Sequence, residues 1–160
     1  MKRRIKHVTV LGSGIMGSGI AAHFANIGVE VLLLDIVPFE LTEAEQKKGL
    51  TKEDKAVRNR IATESLAKLV KASPALLYKK EFAERISVGN FDDDLQKIKN
   101  TDWIIEVVVE RLDIKKSVYE KIEQFRKPGT LVSSNTSGIP INMLVEGRSD
   151  DFKKYFAGTH

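Results

Sequence analysis

A glycine-rich turn between two apolar segments constrains this chain more than any other feature. The apolar segment His7–Leu11 is typical of a buried strand, and it leads directly into Gly12–Gly17, where three of six residues are glycine. Apolar residues at helical spacing follow from Ile15 to Ile27, and a second buried strand is predicted over Val29–Ile36. A strand, a glycine turn, a helix and a strand in this order indicate the βαβ unit that binds dinucleotides.

Each glycine of the turn has its own physical task. Gly12 permits the tight turn out of the strand, Gly14 lets a diphosphate lie against the main chain, and Gly17 lets the helix approach the sheet. The helix that starts at Ile15 and Met16 presents unpaired N–H groups and the positive end of its dipole to the phosphates. A glycine turn that binds nothing is the alternative, and the predicted strand and helix around it argue against that interpretation.

An acidic residue at the end of the second strand selects among dinucleotides. Asp35 lies 18 residues after Gly17, where a carboxylate accepts hydrogen bonds from the adenosine ribose 2′-hydroxyl and repels a 2′-phosphate. No basic residue occurs at 36–39 to neutralise such a phosphate. The sequence therefore predicts NAD rather than NADP as the cofactor. An aspartate that merely starts a turn is the alternative.

Composition and charge narrow the function classes. The 160 residues are 42% hydrophobic, which is enough for one domain with one core. No apolar run approaches the length of a membrane span, and the basic N-terminus lacks the apolar stretch of a secretory signal, so a cytoplasmic protein is expected. The chain has no cysteines, and its net charge of +4 comes from 26 basic and 22 acidic residues that are interspersed. Neither a metal site nor nucleic-acid binding is predicted.

Strands and helices alternate along the chain around one helical excursion. Two helix-start patterns, Thr42–Glu45 and Thr51–Asp54, follow the second strand. One helix is predicted over Lys52–Lys71, paired with another over Leu76–Ala83. Further strands are predicted at 85–88, 103–109, 130–133 and 155–157, further helices at 92–99 and 112–125, and a helical turn after Pro140. This alternation predicts an α/β fold with a doubly wound, mostly parallel sheet.

Four stretches together resemble the L-3-hydroxyacyl-CoA dehydrogenase family. They are Leu11–Gly19, which contains the glycine turn, the segment Thr101–Glu110, the polar turn Ser134–Ser137, and Phe156–His160. The resemblance covers nearly the whole chain and matches the family's N-terminal NAD-binding domain, including that of multifunctional fatty-acid β-oxidation proteins. It implies a Rossmann fold, NAD as cofactor, and oxidation of an L-3-hydroxyacyl-CoA to the 3-ketoacyl-CoA by hydride transfer.

The resemblance also implies roles for individual residues. His160 matches the histidine that acts as general base on the 3-hydroxyl, a task that suits an imidazole near neutral pH. Ser137 matches a hydrogen-bond donor to the substrate oxygen, and Asn135 matches a residue near the nicotinamide ribose. Glu110 and Lys115 match positions close to the cofactor. Without the resemblance, an idle histidine and a polar turn that caps a helix are the simpler interpretations.

The substrate's CoA group is assigned to the helical excursion by the same resemblance. Ser65 and Lys68 lie in a segment similar to the family's CoA-contacting segment, and a flexible ammonium suits CoA phosphates. The basic residues between Lys47 and Lys80 also fit an ordinary solvated helix face, which is the alternative.

Family members continue past the motif matched by His160 into a helical domain. That domain supplies the carboxylate that orients the histidine and most of the dimer contacts. Residues 1–160 are therefore expected to form a truncated NAD-binding domain, nearly inactive alone because an unoriented base loses tautomer control. Apolar surface near Ile139–Leu144, Tyr155 and Phe156 is expected to be exposed, and the full-length protein is expected to be a homo-oligomer.

Two other functions stay open on the sequence. One is a noncatalytic NAD-binding module with a structural or sensing role, against which His160 and Ser137 argue because binding alone needs neither. The other is a β-hydroxyacid dehydrogenase of a different Rossmann family, against which the motifs Ser134–Ser137 and Gly158–His160 argue.

Overall fold

The computed structural model describes residues 4–160 and places six strands in one sheet. In chain order the strands are β1 (His7–Leu11), β2 (Glu30–Asp35), β3 (Ile86–Asn90), β4 (Trp103–Glu106), β5 (Leu131–Ser134) and β6 (Phe156–Gly158). Their spatial order is β3-β2-β1-β4-β5-β6, and every neighbouring pair is parallel. The predicted doubly wound sheet is confirmed. Because the strand order reverses between β1 and β4, a crevice opens at their carboxyl ends.

Helices connect these strands and cover both faces of the sheet. The α-helices of the described residues are α1 (Ile15–Asn26), α2 (Glu43–Lys47), α3 (Lys55–Arg58), α4 (Arg60–Val70), α5 (Phe91–Asp94), α6 (Leu112–Phe125), α7 (Ile141–Leu144) and α8 (Asp150–Lys154). Two 3₁₀ segments, Lys80–Arg85 and Leu95–Asn100, precede β3 and β4. No helix within residues 4–160 is both long and apolar enough to cross a membrane.

Two hydrophobic cores lie on opposite faces of the sheet. One packs α1 and α4 against β1, β2 and β3 and includes Ala21 and Leu69. The other packs α6 and α8 against β4 and β5 and includes Tyr119. Ile104 and Ile105 enter different cores because successive side chains of a strand point to opposite faces. The sheet is therefore buried on both sides, which explains its nearly continuous apolar strands.

The helical excursion after β2 is confirmed, but its helices are shorter than predicted. The helix predicted over Lys52–Lys71 is divided at Asn59 into α3 and α4. The buried Asn59 side chain accepts a hydrogen bond of 2.6 Å from Asn90, which ties the division to the end of β3. Of the helix predicted over Leu76–Ala83, only the last residues are helical, as part of the 3₁₀ segment Lys80–Arg85. Asn26 of α1 donates to the Leu76 carbonyl and accepts from the backbone N–H of Tyr78, both at 2.9 Å, and so holds the residues before this 3₁₀ segment in a non-helical form.

Three other differences concern the chain after β3. β4 ends at Glu106 rather than at residue 109, because the Glu106 carboxylate accepts a hydrogen bond of 2.8 Å from the backbone N–H of Val108 and turns the chain. Helix α8, Asp150–Lys154, was not predicted, although its capping residue Ser149 was a usable signal. The helix predicted at 92–99 is divided into α5 and the following 3₁₀ segment.

The sequence predicts that the apolar residues of Ile139–Leu144, Tyr155 and Phe156 are exposed to solvent, and the structure agrees only in part. Leu144 is fully buried, and Tyr155 and Phe156 are half-buried. Ile141 and Met143 are exposed as expected. A mainly apolar cavity of 320 Å³ opens instead on the other face of the sheet, between α1 and β4, where its lining includes Ile20, Phe24 and Trp103.

Candidate functional site

The glycine turn joins β1 to α1 at the carboxyl edge of the sheet. Gly12 has φ +106°, and a Cβ there would lie 2.6 Å from the Val107 carbonyl oxygen. A Cβ on Gly17 would overlap the Gly12 carbonyl oxygen, whereas a Cβ on Gly14 would meet nothing within 4 Å. Gly12 and Gly17 are therefore required by the fold itself. Gly14 faces open space, which a ligand can fill.

The start of α1 beside this turn is open. Gly14 is the N-cap and its helix has no side-chain cap, so no side chain of the described residues covers the first N–H groups. Ile15 is 92% exposed and Met16 is 53% exposed. The first turn of α1 thus presents unpaired donors to solvent, as a diphosphate site requires.

Asp35 ends β2 directly beside the glycine turn. Its Oδ2 accepts hydrogen bonds from the backbone N–H of Ser13 at 2.6 Å and from the Ser13 hydroxyl at 2.5 Å. Its Oδ1 accepts from the backbone N–H of Ile36 at 2.7 Å. The carboxylate is half-buried and lines a groove of 740 Å³ together with Gly12 and Gly14. This volume is in the usual range for small-molecule sites.

We call this groove, which Asp35, Gly12 and Gly14 line, the β2 groove. Its opposite wall comes from the second half of the sheet. Val107, Val108 and Val109 follow β4, and Ile114 and Val118 lie on α6. These apolar side chains suit a flat aromatic ring, while Gly14 and Asp35 supply the polar end. The groove can therefore hold the adenosine half of a dinucleotide.

A buried charge network lies under the other half of the edge. The Glu106 carboxylate, at the end of β4, accepts from Lys115 Nζ at 2.7 Å through Oε1. Through Oε2 it accepts from the Tyr119 hydroxyl at 2.5 Å and the Ser134 hydroxyl at 2.6 Å. Glu106 is 0% and Lys115 1% exposed. Burial, together with the neighbouring Glu106 carboxylate, raises the pKa of Tyr119 well above its usual range, so its hydroxyl remains a donor.

Glu110 connects this network to the polar turn after β5. Lys115 Nζ lies 3.3 Å from Glu110 Oε2. The Glu110 Oε1 atom accepts hydrogen bonds from the Thr136 hydroxyl and from the backbone N–H groups of Ser137 and Gly138, the latter two at 3.0 Å. These donors, the Thr136 hydroxyl first, lower the pKa of Glu110 to about 2. The carboxylate is therefore ionised at neutral pH and holds the turn in one conformation.

The polar turn places the Ser137 hydroxyl beside the His160 ring. His160 Nε2 lies 3.0 Å from the Ser137 hydroxyl. His160 follows β6, and its position is fixed by Thr159, whose backbone N–H donates to the Ser134 carbonyl at 2.9 Å and whose hydroxyl donates to Ser133. An imidazole with an exposed nitrogen beside a hydroxyl can accept a proton from a bound alcohol.

The predicted site residues fall into three groups. One group lies along a single edge of the sheet: Gly12, Gly14, Ile15, Met16, Gly17, Asp35, Glu110, Asn135, Ser137 and His160. Lys115 is buried beneath Glu110 instead of facing the groove. Ser65 and Lys68 lie on α4, and neither lines the cavities at this edge. Within residues 4–160 no group of three His, Asp, Glu or Cys side chains could hold a metal ion.

Sequence reasoning missed the residues that hold the predicted ones in place. Glu106 had a signal, because a glutamate inside the apolar run 103–109 has to find buried partners. Tyr119 lies in the helix predicted at 112–125, and helical spacing gives no partner for its hydroxyl. Ser13, Ser134 and Thr136 lie in stretches that carry the resemblance, but their positioning contacts had no signal in the sequence.

Comparison with known proteins identifies the family of this chain. The family described as "3-hydroxyacyl-CoA dehydrogenase, NAD binding domain" matches residues 7–160. A probable 3-hydroxyacyl-CoA dehydrogenase of Bacillus subtilis is 54% identical over 160 residues, which are 100% of this chain and 20% of that protein. The mitochondrial hydroxyacyl-coenzyme A dehydrogenase of Sus scrofa is 32% identical over 158 residues, which are 98% of this chain and 46% of that protein.

A solved structure shows the same fold. The crystal structure of (S)-3-hydroxybutyryl-CoA dehydrogenase from Ralstonia eutropha matches with a TM-score of 0.68 at 28% identity, over 98% of this chain and 49% of that one. The chain thus spans between a fifth and a half of the length of these relatives. With a matching NAD-binding domain over nearly its whole length, the chain belongs to the 3-hydroxyacyl-CoA dehydrogenase family as its NAD-binding domain.

Proposed function

We propose that this chain is the cofactor-binding part of an enzyme that oxidises L-3-hydroxyacyl-CoA to 3-ketoacyl-CoA in fatty-acid β-oxidation. The observation that carries the proposal is the pair formed by Ser137 and His160, 3.0 Å apart on the same edge as the glycine turn. Binding of a dinucleotide alone requires neither side chain. When bound, NAD supplies the nicotinamide that accepts the hydride.

The first half of the edge holds the cofactor in this proposal. The open space at Gly14 and the uncapped start of α1 fit a diphosphate. Asp35 accepts a hydrogen bond from the adenosine ribose, and the apolar wall of the β2 groove receives the adenine. Asn135, which lines the same cavity as Met16 and His160, lies near the nicotinamide ribose.

The second half of the edge performs the proton transfer. His160 takes the proton of the substrate 3-hydroxyl through Nε2 as the C–H bond breaks, and it returns this proton in the reverse reaction. The Ser137 hydroxyl donates a hydrogen bond to the same substrate oxygen. Glu110 keeps the turn that carries Ser137 in place, and the buried Lys115 keeps Glu110 in place. The protein thus fixes the distance between the acceptor of the proton and its neighbouring donor.

Further parts of the proposal concern the longer protein. Of the described residues, only Ser137 hydrogen-bonds to the His160 ring. The relatives are longer than this chain, and we propose that the carboxylate that orients the other ring nitrogen comes from the additional part of the longer protein. Ser65 and Lys68 on α4 are proposed to contact the CoA group. A cytoplasmic location and a homo-oligomeric full-length protein remain predictions.

The test uses the natural full-length enzyme that contains this domain, assayed with 3-hydroxybutyryl-CoA and NAD. His160→Ala is expected to lower kcat by roughly 10²–10⁴-fold and to leave the Kd for NAD unchanged. His7→Ala is the matched control, because His7 lies at the opposite end of β1 and faces Asp102. If the His160→Ala enzyme keeps its turnover, His160 is not the base. If the unmodified enzyme binds NAD without any turnover, the domain is a noncatalytic module.

A further inference from the structure

Ser13, the second residue of the glycine turn, has two contacts with Asp35, although the Gly-x-Gly-x-x-Gly motif leaves the residue type at this position open. Its backbone N–H and its hydroxyl both donate to the same carboxylate oxygen, Oδ2, at 2.6 and 2.5 Å. Ser13 is 1% exposed, whereas Asp35 is half-buried at the mouth of the β2 groove. The serine is thus shielded from solvent and reaches the groove only through the carboxylate that it holds.

The hydrogen-bond count of Asp35 shows what this contact does. An ionised carboxylate offers about four acceptor positions. Ser13 fills two of them on Oδ2, and the backbone N–H of Ile36 fills one on Oδ1 at 2.7 Å. One position on Oδ1 is left for a ligand donor. Because both Ser13 bonds end on one oxygen, rotation of the carboxylate would break them, so the vacant position points in a fixed direction.

We propose that Ser13 is a specificity-determining residue that fixes the Asp35 carboxylate for a single hydroxyl donor and so enforces the preference for NAD over NADP. This inference rests on the proposed contact between Asp35 and the adenosine ribose. A 2′-hydroxyl supplies one donor and fits the single vacant position, whereas a 2′-phosphate supplies only negative charge and acceptors. A carboxylate held by these three hydrogen bonds, two of them from Ser13, cannot turn away from that phosphate.

The charges around the β2 groove strengthen the discrimination. Its lining contains one lysine, Lys121, and a second carboxylate, Asp113, besides Asp35. Residues 36–39 contain no basic side chain. An additional phosphate at the ribose therefore meets no excess of positive charge, and the orientation of Asp35 decides how strongly it is repelled.

The experiment is a thermodynamic cycle on the 160-residue chain with three ligands: NAD, NADP, and NAD that lacks the adenosine 2′-hydroxyl. Affinities are measured by titration calorimetry for the unmodified chain, Ser13→Ala and Ser18→Ala. Ser18 is the matched control because its hydroxyl donates only to backbone carbonyls of its own helix, at Gly14 and Ile15. The cycle isolates the contribution that runs through the 2′ position.

Ser13→Ala is expected to lower the ratio of the Kd for NADP to the Kd for NAD by roughly tenfold, about 1.4 kcal/mol. Ser13→Ala should change the affinity for the 2′-deoxy ligand by less than about twofold, because this ligand has no 2′-hydroxyl to contact Asp35. Ser18→Ala should leave the ratio within about twofold, because Ser18 does not contact Asp35. An unchanged ratio in Ser13→Ala, or an equal loss for all three ligands, would overturn the proposal, since a merely structural serine affects every ligand alike.

Two further variants separate this inference from the proposed function. Asp35→Asn should remove most of the preference for NAD. If the preference for NAD survives in Asp35→Asn, the proposed contact between Asp35 and the ribose is wrong. If Asp35→Asn removes the preference but Ser13→Ala does not lower it, only the proposed role of Ser13 is rejected. Ser13→Cys keeps a side chain of the same shape, slightly larger, that donates only weakly, so it supplies the ratio should Ser13→Ala fail to fold. A lowered ratio in Ser13→Cys supports the proposal, and an unchanged one overturns it.

Discussion

The two halves of the carboxyl edge are built from different chemical groups. Around β1 and β2, the site consists of main chain and one carboxylate, and Gly14 and Asp35 lie within a single βαβ unit. Around β4, β5 and β6, it consists of side chains: Glu106 and Lys115 are buried together, and Glu110 joins them to the turn of Ser137. The first half is thus shaped by the absence of side chains, and the second by side chains that pair with one another.

This difference predicts different responses to mutation. A main-chain site fails when a side chain is added, because the added atoms occupy ligand space or push backbone apart. A buried charge network fails when one member is removed, because the partners that remain are buried and unpaired. The following experiments therefore add atoms to the first half and remove charge from the second.

The largest effect is expected from Lys115→Met. The substitution leaves the buried Glu106 carboxylate without its cationic partner at 2.7 Å, and breaking a buried pair in this way costs about 3–5 kcal/mol of unfolding free energy. Urea denaturation at neutral pH measures the change. Lys116→Met is the matched control, because Lys116 on the same helix pairs with Glu146 in solvent and should cost less than about 1 kcal/mol. Equal losses in the two variants would contradict a buried network that depends on pairing.

Gly17→Ala should have the next largest effect. The added Cβ overlaps the Gly12 carbonyl oxygen, so α1 has to move away from the sheet, at a cost of about 1–3 kcal/mol. Gly19→Ala lies on the same helix, and its Cβ would meet nothing within 4 Å. This control should stabilise the chain by up to about 1 kcal/mol, because alanine favours a helix interior. Thermal unfolding that ranks the two variants in the opposite order would show that the helix does not depend on this close approach.

Gly14→Ala separates ligand space from folding. Its Cβ would contact no protein atom within 4 Å, so the unfolding free energy should change by less than about 0.5 kcal/mol. The Kd for NAD should rise by roughly tenfold or more, because the methyl group occupies the space that the diphosphate needs. Calorimetric titration and a thermal melt of the same sample measure both quantities. Unchanged affinity would place the diphosphate elsewhere.

Sequence reasoning named the residues of the first half of the edge, but in the second half it missed Glu106, Tyr119 and Ser134, which hold the named residues in place. Gly12, Gly14, Gly17 and Asp35 are separated by fixed numbers of residues within one βαβ unit, so local spacing alone predicts that they meet. The contact between Glu106 and Ser134 depends instead on β4 and β5 being neighbours in a register that pairs these two residues. Strand order and register are properties of the whole sheet, and no local pattern carries them.

The fold shows the same contrast between local and distant determinants. The alternation of strands and helices was predictable because apolar periodicity is local. The division of the helical excursion at Asn59 was not, because it follows from a hydrogen bond to Asn90, a residue 31 positions away. The non-helical segment at Leu76 likewise depends on Asn26, which is 50 positions distant.

The smallest effect concerns acid. Hydrogen bonding lowers the pKa of Glu110 from 4.5 to about 2, so its ionised form stabilises the fold fully above about pH 5, and this contribution is lost as the pH falls towards 2. Glu110→Gln should therefore lose most stability near pH 7. The loss should be less than about 1 kcal/mol, because the side chain is 44% exposed, and the difference in unfolding free energy from the unmodified chain should shrink in acid.

Asp93, whose pKa is lowered to about 2 mainly by Arg58, should give the same pH dependence in Asp93→Asn. Only Glu110→Gln should shift the amide proton resonances of Ser137 and Gly138, since only Glu110 accepts from them. If both variants leave those resonances in place, Glu110 does not order the turn, and the second half of the edge depends on the buried pair alone.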